Sequence, residues 1–157
     1  MKKAQLFTTD LFIALSIFMI LIGIVFLTWT RYNAKLNEDI NFEDMQIKAF
    51  HITDLLTKTE GYPAAWEKNI SSLEVIGLME SERNLSLAKV QNFASLDYNL
   101  TKQLFNIELY DFYFTVKSTN GSKLLQYGII NNKELVNLRR IVNYGNQKAI
   151  MEFTISK

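Results

Sequence analysis

Positions 11–29 carry no charge, and almost all of them are large and apolar. A helix of this length is about sufficient to cross a bilayer, and the run is longer than the apolar region of most cleaved secretory signals. The pattern therefore predicts a membrane-spanning helix, which we call the apolar span. The alternative is a buried helix of a soluble domain, and it is less favoured because core helices seldom run this far without a charge.

The residues that flank the apolar span predict its orientation. Lys2 and Lys3 precede it, and Trp29, Arg31 and Tyr32 lie at its other end. Basic residues favour the cytoplasmic side of a membrane, and aromatic residues favour the interface. We therefore expect a single-pass membrane protein with a cytoplasmic N-terminus and an extracellular head.

Helical periodicity continues beyond the apolar span, and neither Pro nor Gly interrupts it before Gly61. Apolar residues recur there at spacings of three and four, which places them on one helix face: Phe42, Met45, Ala49, Ile52 and Leu56. Gly61 and Pro63 end the pattern, because proline cannot continue the hydrogen-bond ladder. Residues 5–60 are thus predicted to form one long helix, whose part beyond residue 29 we call the stalk.

The head, residues 61–157, is predicted to begin with helix. A short helix or a turn is expected between Pro63 and Gly77. A longer helix, capped by Ser86, is expected to run to Leu104 because its apolar residues follow helical spacing.

Four strand-like runs complete the head: LYDFYFTVKST, SKLLQYGII, ELVNLRRIVNY and KAIMEFTISK. They are rich in branched and aromatic residues, and Asn120-Gly121 and Gly145-Asn146 are hairpin signals. The expected fold class is α+β: a long N-terminal transmembrane and stalk helix, followed by a small head of helices packed on an antiparallel sheet of three to four strands.

Composition and charge narrow the functional classes. The 157 residues are 48% hydrophobic and can fill one modest core, while the absence of cysteine excludes a disulfide scaffold and a cysteine nucleophile.

Residues 38–82 contain ten acids and three lysines, whereas residues 83–157 contain five acids and ten bases. This division is either a solvated surface or a means for the head of one subunit to meet the stalk of another. Nucleic-acid binding is not expected, since no basic stripe with spaced aromatics is present.

Candidate catalytic residues are few. The single histidine, His51, lies in the predicted stalk, and Glu74, Glu80 and Glu82 form only a loose group of acids near Gly77. Metal ligation needs several convergent donors, and neither a glycine-rich phosphate loop nor a Ser-His-Asp order is present. We expect no enzyme, no catalytic residue, no metal and no cofactor.

Four sequons of the form Asn-x-Ser/Thr follow the stalk, at Asn69, Asn84, Asn99 and Asn120. All four lie in the head, which agrees with an extracellular location. Chance alone gives about two such matches in a chain with fourteen asparagines, so the excess is small. We treat these positions as possible glycosylation sites.

The residues before the apolar span, KKAQLFTTD, resemble the class III signal peptide of archaeal type IV pilins and pilin-like proteins. In that family a prepilin peptidase cuts a short basic leader after Gly or Ala and before Gln. Ala4 and Gln5 match this cut site, which implies a cleaved leader of residues 1–4. The family's acid normally stands where this chain has Thr9, and Asp10 follows one place later.

Segments of the head also resemble archaeal pilin-like proteins, among them GYPAAW with its G-x-P-x-x-W turn, YDFYFTV and RRIVNY. The resemblance implies a structural subunit, major or minor, of a pilus-like filament or a secretion pseudopilus. Its implied partners are copies of itself or other pilin subunits, a prepilin peptidase, a membrane platform and an assembly ATPase.

Within this interpretation, Asp10 and Gly23 are the expected assembly residues. A helix withdrawn from lipid must be buried against other copies, and a carboxylate in that setting needs a partner such as the freed ammonium of Gln5. Gly23 allows bending or close helix approach. The alternative function is an uncleaved single-pass membrane protein whose extracellular domain binds a partner.

Overall fold

The computed structural model describes residues 2–131 and 134–157, with side chains from Asp10 onward in those ranges. Contacts divide the chain into two compact units, Met1–Asn41 and Phe42–Lys157. The first helix, α1, spans Lys2–Lys58 and confirms the long N-terminal helix. It ends just before Gly61, whose φ of +83° suits only glycine well.

The helical part of the head differs from the prediction. Two short 3-10 helices, Trp66–Lys68 and Ile70–Ser72, follow Pro63. The single helix expected from Ser86 to Leu104 is wrong, because two helices occupy this stretch: α2, Leu87–Ala94, and α3, Tyr98–Leu104.

Capping explains why the second helix begins where it does. The carboxylate of Asp97 accepts a hydrogen bond from the backbone N–H of Leu100 at 2.8 Å, so Asp97 is the N-cap of α3. Ser86 stands at the N-cap position of α2, but its side chain makes no capping hydrogen bond.

The four predicted strands are all present: β3, Asp111–Ser118; β4, Lys123–Gly128; β5, Leu135–Tyr144; and β6, Gln147–Ser156. Two further strands precede α2, namely β1, Met79–Ser81, and β2, Asn84–Leu85. Such short strands carry no measurable alternation of apolar and polar residues, so the sequence gives no signal for them.

The strands form one six-stranded sheet in the order β1-β2-β5-β6-β3-β4. Every pair of neighbouring strands is antiparallel except the pair of β2 and β5, which is parallel. The prediction of an antiparallel sheet with three to four strands is therefore wrong, because the observed sheet has six strands and is mixed. The α+β class agrees with the structure. Parallel pairing requires a long crossover connection, and the chain between β2 and β5 provides one through α2, α3, β3 and β4.

The core lies between one face of the sheet and the helices. Phe153 in β6 and Phe114 in β3 are fully buried, and Phe93 of α2 meets the Phe114 ring edge-on at 5.0 Å between centroids. Four of the five predicted stalk-face residues join this core: Met45, Ala49, Ile52 and Leu56. The fifth, Phe42, is 41% exposed. The second half of the stalk thus packs as part of the larger unit.

Candidate functional site

The side chains of the apolar span are exposed in the part of the chain that the structure describes. All its large apolar side chains are exposed, from 47% at Ile22 to 68% at Phe12. The helix that contains them is long and apolar enough to cross a membrane, with a mean hydropathy of 2.9 in its most apolar window. An exposed apolar surface of this extent is typical of a segment that contacts lipid or other protein.

The two hydroxyl groups within the apolar span are satisfied by the backbone of α1. Ser16 donates to the carbonyl oxygen of Phe12 at 2.8 Å, and Thr28 donates to that of Ile24 at 2.7 Å. Because each hydroxyl has a partner four residues earlier, neither needs water, and the span suits an apolar environment.

The predicted assembly residues lie on this helix. Asp10 is exposed. Gly23 has no atom within 4 Å of the position that a Cβ would occupy, so no contact within the described residues requires a glycine there. The side chains of Ala4 and Gln5, the predicted cut site, lie outside the described residues.

Residues with catalytic potential are not brought together. His51 is exposed on α1, and among residues 2–131 and 134–157 no group of three His, Cys, Asp or Glu side chains is placed to hold a metal ion. Glu74, Glu80 and Glu82 are likewise exposed. The expectation that the chain is not an enzyme stays a prediction.

The four sequon asparagines are all exposed, but their surroundings differ. Asn120 lies in the turn between β3 and β4, where its side-chain oxygen accepts a hydrogen bond from the Ser122 hydroxyl at 2.9 Å. Asn84 lies in β2, and Asn99 in α3. Asn69 separates the two 3-10 helices.

A groove of about 1090 Å³ runs along the outer edge of β5 in the larger unit, and we call it the edge groove. Its basic residues outnumber its acids: Lys58, Arg83, Arg139, Arg140 and Lys148 against Asp54 and Glu82. The groove therefore presents a positive surface, which continues the basic character of residues 83–157.

Ion pairs fix one wall of the edge groove. The Arg140 guanidinium donates to Asp54 Oδ1 at 2.8 Å and lies 5.0 Å from the centre of the Phe50 ring. Asp54 Oδ2 also accepts from Lys58 at 2.6 Å. Sequence reasoning missed this contact, because Asp54 and Arg140 are 86 positions apart.

A second cluster joins three strands on the opposite face of the sheet. Glu152 of β6 is 8% exposed and pairs with Arg139 of β5 at 3.0 Å and with Lys117 of β3 at 2.5 Å. Two cations therefore neutralise a nearly buried carboxylate, which ties the central strand to both neighbours.

Comparisons with protein-family profiles, with characterised proteins and with solved structures give no match. Function is therefore inferred from the residues and the geometry. The uncharged run of residues 11–29 was sufficient to predict the apolar span from the sequence. For the edge groove, the sequence offered only the adjacent Arg139 and Arg140 in a strand-like run.

Proposed function

We propose that this chain is a structural subunit, major or minor, of an archaeal type IV pilus-like surface filament or pseudopilus. The observation that carries the proposal is the uncovered apolar span, with every large side chain of residues 11–29 at least 47% exposed. Lipid covers such a helix before assembly, and the same helices from other copies cover it afterwards.

The motif at Ala4 and Gln5 supports filament assembly over permanent anchoring. Removal of residues 1–4 eliminates Lys2 and Lys3 and leaves the apolar helix at the new N-terminus. Such a helix is retained in the mature chain and is free to pack against copies of itself. The proposed partners are other pilin subunits, a prepilin peptidase, a membrane platform and an assembly ATPase, and no enzymatic activity or cofactor is involved.

The second candidate function is an uncleaved membrane-anchored extracellular domain that binds a partner. The basic edge groove favours it, since a binding domain needs a surface of defined chemistry. Both functions place the N-terminus in the cytoplasm and the head outside the cell.

The mature N-terminus distinguishes the two functions. We would express the full chain with an archaeal prepilin peptidase, isolate membranes and measure intact mass. The filament function predicts a chain that begins at Gln5, whereas the anchored function predicts that Lys2 and Lys3 remain. Ala4→Leu is the matched control, because a bulky residue before the cut should block processing without changing membrane insertion. Normal processing of Ala4→Leu, or an uncut wild-type chain, would contradict the filament function.

A further inference from the structure

The outer edge of β5 exposes backbone groups that a neighbouring strand would normally bond. The N–H of Lys157 donates to the carbonyl oxygen of Glu134 at 3.1 Å. Because hydrogen-bonded pairs alternate along an antiparallel ladder, the even-numbered residues of β5 direct their backbone N–H and C=O groups towards β6. Odd-numbered residues therefore direct their N–H and C=O groups away from β6. The N–H of Asn143 agrees, since it donates to the Arg83 carbonyl oxygen at 2.8 Å on the outer side.

Only the end of this edge is covered. β2 pairs with Asn143 and Tyr144 alone. Within the described residues, the outward backbone groups of Asn137, Arg139 and Ile141 have no hydrogen-bond partner. Short length, proline, a bulge or charged side chains usually protect an edge strand. β5 has ten residues, no proline and regular pairing with β6, so its protection of this kind is the charge of Arg139 and Arg140, which opposes a basic strand but not an acidic one. The edge is thus able to accept another strand.

Charge determines which kind of strand fits. Residues that are paired directly across two strands have side chains on the same face of the sheet. Arg139 pairs with Glu152, Ile141 with Ile150 and Asn143 with Lys148. The side chains of Arg139 and Ile141 therefore lie on the same face as that of Lys148. Arg83 and Lys148 are exposed, and neither has an ion-pair partner among the described side chains. A strand laid beside β5 would therefore place alternate side chains next to an excess of positive charge.

We propose that the edge groove binds an extended acidic segment of a partner protein, which adds a strand to β5 beside Asn137, Arg139 and Ile141. Main-chain hydrogen bonds to these residues provide affinity, and the carboxylates of the segment provide selectivity through Arg83 and Lys148, the groove cations that have no ion-pair partner among the described side chains. The interaction does not depend on filament assembly, since it uses only the larger unit.

The test uses the full chain in detergent micelles and the probe peptide acetyl-Thr-Glu-Val-Glu-Val-Glu-Thr-amide. Site-resolved amide exchange by NMR measures which backbone groups become bonded. We expect exchange at Arg139 and Ile141 to slow by at least about tenfold in the complex, because these amides gain partners. The inward amides of Leu138 and Arg140 are internal controls and should not change.

Two matched peptides separate strand addition from simple charge attraction. Replacing each Glu by Lys should weaken binding by at least about tenfold, and N-methylation of alternate amides should abolish the protection at Arg139 and Ile141. Undetectable binding of the acidic peptide at about 1 mM, or equal binding of the N-methylated peptide, would overturn the proposal.

Variants of the groove test the charge selectivity. Arg83→Asn with Lys148→Gln should weaken the acidic peptide by about threefold to tenfold, and asparagine tolerates the φ of 59° at position 83. Lys123→Gln, on the opposite edge strand β4, should leave the affinity unchanged. Equal weakening by both changes would contradict a site at β5. Protection that develops without peptide as the chain concentration rises would identify a second copy as the occupant and overturn the proposal.

Discussion

The indole nitrogen of Trp66 donates a hydrogen bond to the carbonyl oxygen of Gly77 at 2.9 Å, and Trp66 is fully buried. Gly61 makes this packing possible, because a Cβ at that position would lie 2.8 Å from Cδ1 of Trp66 and 2.6 Å from the Val75 carbonyl oxygen. The G-x-P-x-x-W turn is therefore a structural link between the end of α1 and the chain that leads into β1.

Trp66→Phe tests this link. The substitution leaves the buried Gly77 carbonyl without its donor and opens a small cavity, so the free energy of unfolding of the head should fall by about 2–4 kcal/mol. Urea unfolding in micelles, followed by near-UV circular dichroism, measures it. Trp29→Phe is the control, since Trp29 is 64% exposed and should not affect the head. Equal stability of the two variants would contradict the role of Trp66.

Local signals explain which parts of the fold were predictable. The long strands β3 and β6 carry many branched and aromatic residues, and the stalk face repeats at helical spacing, so each element is visible within its own segment. The break between α2 and α3 was not visible, because Phe93, Leu96 and Leu100 continue the helical spacing across it. There the cap at Asp97 prevails over the apolar pattern.

Contacts between distant segments explain what was missed. The order of strands leaves the outer edge of β5 open, and this depends on where β2 stops pairing rather than on any residue in β5. The apolar span, in contrast, is a property of consecutive residues. The candidate assembly surface was therefore predictable from the sequence, and the edge groove was not.

Two tyrosines predict a loss of stability at alkaline pH. Burial raises the pKa of Tyr110 to about 12, helped by its hydrogen bond to Asp44 at 2.8 Å. Burial likewise raises the pKa of Tyr98 to about 12, and the nearby Asp111 carboxylate adds to this shift. Both phenols therefore hold their protons more tightly in the folded chain than in the unfolded chain, where the pKa is 10.0.

The sign of the effect follows from linkage. Below pH 10 both tyrosines are protonated in either state, and their contribution is complete; between pH 10 and 12 the unfolded chain loses these protons first, so the free energy of unfolding falls. Tyr110→Phe should reduce the steepness of this fall, because it removes one of the buried phenols whose pKa is raised in the folded chain. Urea unfolding at a series of pH values measures the slope, and an unchanged slope would contradict the prediction for Tyr110.

Asn120 is the sequon at which we expect glycan in an archaeal host with N-glycosylation. Asn120 and Ser122 are both exposed in the turn between β3 and β4, and Gly121 adopts a φ of +87° there. At Asn99, by comparison, the sequon hydroxyl belongs to the buried Thr101 and bonds to the Asp97 carbonyl oxygen.

Glycopeptide mass spectrometry of protein from such a host tests whether Asn120 is modified in preference to the other sequons. We expect modification at Asn120 and its loss in Ser122→Ala, which keeps the asparagine but removes the sequon hydroxyl. Four unmodified asparagines, at positions 69, 84, 99 and 120, would contradict the prediction.

Asp10 provides the most direct test of assembly through the apolar span. Asp10→Asn keeps the size of the side chain and removes its charge. If Asp10 pairs with the ammonium of a mature Gln5 inside a filament, the variant should still be inserted and cut, because Lys2, Lys3 and Ala4 are unchanged. It should nevertheless enter filaments poorly.

The size of the effect distinguishes an assembly role of Asp10 from a role as a polar residue at the end of the apolar span. Loss of one partner of a buried ion pair destabilises by about 3–5 kcal/mol, enough to exclude most of the variant from filaments, whereas an exposed pair contributes under about 1 kcal/mol. The measurement is the filament-to-membrane ratio in cells for wild type, Asp10→Asn and Asp39→Asn. Asp39 is an exposed acid farther along α1, so its variant controls for a general effect of charge. A wild-type ratio for Asp10→Asn would show that Asp10 only marks the edge of the apolar span, because a buried carboxylate cannot lose its charge without changing assembly.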